Sequence, residues 1–265
     1  MTKKEPEYPA AEKSAALPAA RRDYRDTIFR MLFRDRKNLL SLYNALNQTS
    51  YQNPDALEIV TLKNAVYMNM KNDLAFILDA QLHLYEHQST WNPNMPLRNL
   101  FYISREYQNL VRKRTLYSSR LIRIPGPRFI VFYNGSEMKE EHCILRLSDA
   151  YEQPCTELDL DLKVHVFHIG CGKNQPLLDA CQVLKEYALY TERVRRYAGE
   201  TILSRAVERA VKECIEEGIL RDFLLKNRAE AIAVSIFEYD EKRELRLIRK
   251  EEYAEGLREG RESGL

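Results

Sequence analysis

The chain has 265 residues, 45% of them hydrophobic and 30% charged, and 41 Lys and Arg stand against 39 Asp and Glu for a formal charge of +2. That length accommodates one substantial domain with appendages, and so small a charge excludes an overall field that attracts nucleic acid, so any such surface must be local. Five cysteines with no CxxC pair, no apolar leader and no uncharged run of membrane length lead to the expectation of a cytoplasmic protein with reduced thiols and no membrane span.

Residues 1–22 are rich in Pro, Ala and charge and are expected to form a disordered arm. From Asp23 to about Leu46 the pattern turns helical. Asp26, Phe29, Arg30, Phe33 and Lys37 form one stripe, and Leu32, Leu39, Leu40, Tyr43 and Leu46 mark the buried side. Asp26 sits where a first-turn carboxylate is stabilised by the helix dipole. The run Leu57 to Leu62 reads as a first strand.

Residues Asn72 to Thr90 read as two strands folded back around Asp79-Ala80, with Asp79 the turn-tolerant residue. A tight hairpin centred there pairs residues whose numbers sum to about 159. Asp73 then lies opposite Glu86, Ala75 opposite Leu84 and Ile77 opposite Leu82, and all six share one face. That face is apolar toward the turn and ends in two carboxylates. Facing like charges cost roughly 0.2–1 kcal/mol. A hard divalent cation, Mg²⁺ or Mn²⁺, reverses that sign because it selects oxygen ligands. Gln88 continues the same face. An exposed hairpin end needs no metal to explain the same residues, so both readings stand.

Pro93 and Pro96 open a helix expected over 95–113, on which Arg98, Tyr102 and Arg105 share a stripe suited to phosphate binding. Arg112-Lys113-Arg114, with Arg120, Arg123 and Arg128 downstream, forms the strongest basic cluster. A solvated helix face is the alternative for all of these.

Asn72-Asp73, the run Glu86-His87-Gln88-Ser89-Thr90 and Asn94-Met95-Pro96-Leu97-Arg98 resemble the recombination-promoting nucleases, a transposase-associated branch of the PD-(D/E)XK nuclease superfamily. The resemblance runs from about Asp26 to Tyr239. It implies an α/β fold, a mixed central sheet flanked by helices, followed by an α-helical C-terminal region. It implies a DNA endonuclease in which Asp73, Glu86 and a strand carbonyl hold Mg²⁺ or Mn²⁺, with Asp26 as an accessory acid. One departure is plain: the superfamily's Glu-x-Lys is Glu86-His87-Gln88 here, so the catalytic lysine is missing from its usual place. By the hairpin register Gln88 pairs with Lys71, whose long stem can reach back toward the carboxylates, while an ordinary lysine snorkelling at a strand end is the alternative. Gln88 itself can orient water or donate to a phosphate oxygen but cannot act as a base. That departure keeps open an inactive, nuclease-derived DNA- or protein-binding protein, and a plain interaction module built on the helical second half is the third reading.

Farther on, Arg128 to Tyr133 reads as a central strand closed by Asn134-Gly135, and 142–147 and 163–169 are further strands. His165, His168 and Cys171 have a spacing that suggests zinc, yet on a strand the two histidines point to opposite faces, which favours structural histidines. Helices are expected from Pro176 to Tyr197, from Glu200 to Glu217 with Gly218 as a break, and from Leu220 to Phe237. The organisation expected is a nuclease core over 23–170, a helical region over 171–239 packed on it, and a charged tail over 240–265. Gly256, Gly260 and Gly264 give that tail a small-residue spacing that suits a solvated helix and leaves open an oligomerisation arm in a homodimer.

Overall fold

Asp35 divides the first helical segment in two. In the computed structural model, which describes residues 27–60, 73–112, 116–117, 119–153, 157–170 and 172–239, α1 spans Ile28–Phe33 and α2 spans Arg36–Asn47. The Asp35 carboxylate accepts from the backbone N–H groups of Lys37 and Asn38, so it caps α2. A single continuous helix was the expectation; the cap ends it, and the stripe through Phe33 and Lys37 breaks there. Asp26, Lys71, Lys113, Arg114, the N-terminal arm and the charged tail lie outside the described residues.

Six strands follow: β1 (Glu58–Ile59), β2 (Asp73–Leu78), β3 (Gln81–Gln88), β4 (Gly126–Tyr133), β5 (His142–Arg146) and β6 (Lys163–His168). They form one mixed sheet in the order β1-β2-β3-β4-β6-β5. The β1–β2, β2–β3 and β5–β6 pairs are antiparallel, and β3–β4 and β4–β6 are parallel. Between β3 and β4 the chain crosses over through α3 (Met95–Val111), as a parallel pair requires.

The turn of the β2–β3 hairpin uses Asp79 at φ 50° and Ala80 at φ 58°. Two successive left-handed residues make the twist that suits a two-residue hairpin. The register that follows places Asp73 opposite Glu86, Ala75 opposite Leu84 and Ile77 opposite Leu82. This is the expected pairing, residue for residue.

Because strand side chains alternate, the sheet feeds two cores. On one face Leu74, Phe76, Leu78, Tyr85, Ile130 and Phe132 pack with α1, α2 and the C-terminal helices. On the other, Ala75, Leu82, Leu84, Phe129, Val131, Val164 and Val166 pack with Met95, Tyr102 and Ile103 of α3. β4 lies between two parallel neighbours and is covered on both faces, so Phe129 to Tyr133 are all buried.

The helical second half is more segmented than its periodicity suggests. The helix expected over Pro176–Tyr197 is two, α4 (Gln175–Ala180) and α5 (Gln182–Ala198), divided at Cys181, whose backbone is extended. Next comes α6 (Leu203–Glu217), which ends on Gly218 at φ 84°, a left-handed terminus that glycine supplies without a Cβ penalty. The last expected helix also divides, into α7 (Arg221–Lys226) and α8 (228–239). On α6, Val207, Ala210, Val211 and Cys214 are fully buried, so that stripe is packing. Glu238 on α8 accepts a 3.0 Å hydrogen bond from the Ile28 backbone N–H at the start of α1. A carboxylate from the far end of the chain thus caps the first described helix. No helix among the described residues is long and apolar enough to cross a membrane.

Candidate active site

Glu86 is 7% exposed, at the end of an otherwise apolar strand face and opposite Asp73 in the ladder. Its Oε1 accepts from Gln88 Nε2 at 2.7 Å and from Arg98 Nη2 at 3.2 Å. Among the described residues, both polar contacts to this carboxylate fall on Oε1. The two donors are brought together by short-range rules. Gln88 lies two residues along β3 and so shares the face of Glu86. Arg98 is one helical turn beyond Met95, which is 1% exposed and anchors the start of α3 in the core. Met95 Sδ touches both donors, at 3.4 Å from Arg98 Nη1. Two facing carboxylates were expected at this point, and the register brings them opposite each other; the contact between Glu86 and the Arg98 guanidinium is an addition to that expectation.

The run Glu86-His87-Gln88 is therefore split between the two sides of the sheet. His87 points the other way, is 3% exposed, stacks on Phe29 and stands 3.2 Å from the Tyr187 hydroxyl. It is a core residue. The row carrying Gln88 continues through Tyr133 to His168 on the neighbouring parallel strands. His168 Nε2 lies 3.1 Å from the Gly135 carbonyl, so the proton sits on Nε2, and burial lowers the pKa of the ring. Tyr133 and His168 were not anticipated as neighbours of Gln88, because their place depends on which strand follows the crossover.

The residues expected to contact DNA divide. Arg105 and Arg112 are exposed, whereas Tyr102 is 5% exposed and belongs to the core under α3. The exposed aromatic on that helix is Phe101, 54% accessible. Glu106, the one acid on α3, is buried, and desolvation raises its pKa. His165 and His168 face opposite sides of the sheet, with His165 stacked on His142. Cys171 lies outside the described residues.

Among the described residues no group of three or more His, Cys, Asp or Glu side chains converges as a metal site. A donor set of Glu86, Asp73 at the facing position and a strand carbonyl is nevertheless all oxygen, which fits Mg²⁺ or Mn²⁺ and not a soft metal. The fold defines an α/β protein with a mixed, open six-stranded sheet. Comparison with known proteins adds no relative: no protein-family model, no curated protein and no solved structure matches the chain.

Proposed function

We propose that the chain is a divalent-metal-dependent DNA endonuclease of the PD-(D/E)XK type, associated with transposition or recombination, with Asp73 and Glu86 as metal ligands. The observation that carries this reading is the direct pairing of Asp73 with Glu86 at the end of an apolar strand face. The order helix, strand, hairpin, crossover helix, parallel strand supports it. A bound Mg²⁺ or Mn²⁺ supplies a water of lowered pKa and neutralises charge that develops on the phosphate.

The chain's own residues do the rest. The Glu86 carboxylate, 3.2 Å from Arg98, would present oxygen to the cation. Gln88 can turn its amide from Oε1 to an attacking water or a phosphate oxygen, and Arg98 can exchange the carboxylate for a substrate phosphate. Asp26 and Lys71 remain proposals for the accessory acid and the missing cation.

A second reading has an observation of its own. Both polar contacts described for Glu86 come from the chain's own Arg98 and Gln88, as suits a nuclease-derived protein that binds DNA or a partner and does no chemistry. Calorimetry with Mn²⁺ on the wild type, Asp73→Ala and Glu86→Ala tests the site. Binding that disappears in both variants supports the metal reading, and no heat in the wild type overturns it.

A further inference from the structure

The outer side of α3 has no part in the chemistry proposed for Glu86. Leu97, Phe101, Arg105, Gln108 and Arg112 recur every three or four residues, so they form one stripe along the helix. All five are exposed. Phe101, at its middle, is 54% accessible, and Leu97 is 39% accessible. The segment after the helix continues the pattern, with Leu121 at 79% and Ile124 at 45% beside exposed Arg120 and Arg123.

The charge on this part of the chain is lopsided. Residues 95–125 hold seven Arg or Lys and a single acid, Glu106, in a chain whose total is +2. Glu106 is 5% exposed and faces the core, with desolvation favouring its neutral form. Among the described residues Arg105, Arg112, Arg120 and Arg123 are exposed and no acid of this stretch is, so apolar and aromatic groups are set among cations here.

We propose that this face binds unpaired nucleotides of a polynucleotide, with bases stacked on Phe101 and phosphates on Arg105 and Arg112. The inference deepens the nuclease reading, on which it rests for its catalytic meaning: it names single-stranded or frayed nucleic acid as the substrate class. Cations alone suffice to hold the backbone of a duplex, whose bases are stacked on one another and offer an aromatic ring no free face. A single strand offers both groups at once, and stacking of a base on an aromatic side chain is worth about 1–3 kcal/mol. The stripe also has a direction. Arg98 stands at the Glu86 end of α3 and Arg112 just past its other end, roughly 21 Å away at 1.5 Å per residue. A strand laid along the helix leads to the carboxylates.

The test is fluorescence anisotropy in EDTA, so that binding is read without cleavage. The probes are a labelled single-stranded DNA 20-mer, the RNA of the same sequence and the corresponding DNA duplex. The proposal expects tighter binding of a single strand than of duplex, with the DNA and RNA arms showing which sugar is preferred. Phe101→Ala should weaken single-strand binding by about 5- to 140-fold while leaving the weak duplex binding unchanged. Arg105→Ala and Arg112→Ala should each lower the salt slope by about 0.7. Phe101 and both arginines are exposed, and circular dichroism checks that each variant is folded. Equal or tighter duplex binding, a silent Phe101→Ala, or binding only to anionic lipid vesicles or to an acidic peptide overturns the proposal. Single-strand binding that survives Glu86→Ala in a protein that never cleaves keeps this inference and removes the nuclease reading. Cleavage with duplex-only binding does the reverse.

Discussion

Arg98 donates to Glu86 across 3.2 Å, with 26% of its own side chain exposed and 9% of that of Glu86. The contact joins a buried carboxylate on the central hairpin to the first turns of the crossover helix. It is also the contact that a metal ion and a substrate phosphate would have to rearrange.

Arg98→Ala should leave a buried carboxylate with only the Gln88 amide for a partner. Removing the cation from such a pair costs on the order of 1–3 kcal/mol, measurable as a lower denaturant midpoint at unchanged m-value. Polynucleotide binding should weaken in the same variant, and its salt slope should fall by about 0.7–0.9. Unaltered stability together with an unaltered slope would return Arg98 to a solvated helix face.

A second expectation concerns acid stability. His83 is 1% exposed, stacked on Phe76 with Tyr43 edge-on, and burial, with help from the Arg128 charge, pulls its pKa down to about 4. An unfolded histidine titrates near 6.5. Between those values the unfolded chain binds the extra proton, so stability should fall as pH drops from about 6.5 to 4. The loss from this one ring is on the order of 3 kcal/mol. Burial also lowers the pKa values of His142, His165 and His168, which adds to the fall with the same sign. His83→Phe suits the aromatic slot and should remove the His83 share of the slope in denaturation followed from pH 7 to pH 4. A slope identical to that of the wild type would contradict the neutral, buried assignment.

The hairpin turn offers a gain. Ala80 sits at φ 58°, a left-handed conformation that costs a non-glycine residue roughly 1–2 kcal/mol. Ala80→Gly should therefore stabilise the protein by about 0.5–1 kcal/mol after the entropic cost of glycine, read as a higher melting temperature. A lower melting temperature would mean that the turn is not of the type described.

Gln88→Lys is informative about the departure from Glu-x-Lys. A lysine there is long enough to keep a donor on Glu86 and adds a full positive charge. Cleavage should rise in Gln88→Lys, fall in Lys71→Met, and recover in part in the double variant if Lys71 supplies the cation. A silent Lys71→Met in an active enzyme disposes of that role.

The elements that could be read from the sequence are those set by local rules. Asp79-Ala80 between two apolar runs determines a register, and the register alone brings Asp73 opposite Glu86. The parts that escaped reading depend on tertiary placement. Asp35 looked like one more helical residue, although its carboxylate ends one helix and starts the next. Tyr102 and Phe101 are adjacent aromatics, and which of them faces the sheet depends on how α3 is rotated about its axis, a quantity local spacing does not contain. The contact between Arg98 and Glu86 likewise exists only once the crossover has folded back over the hairpin. Cys181 and Asn227 interrupt helices without a proline or a glycine to mark the break.

The proposed chemistry makes phosphodiester hydrolysis depend on a divalent ion held at Asp73 and Glu86. The measurement is cleavage of a single-stranded DNA circle and of supercoiled plasmid, in Mg²⁺, in Mn²⁺ and in EDTA, for the wild type, Asp73→Ala and Glu86→Ala at equal folded fraction. The wild type should cleave with either ion and not in EDTA, and each variant should lose at least about a hundredfold, the scale expected when charge stabilisation at the reacting phosphate is removed. Variants that cut at the wild-type rate, or a wild type inert under every condition, would contradict it.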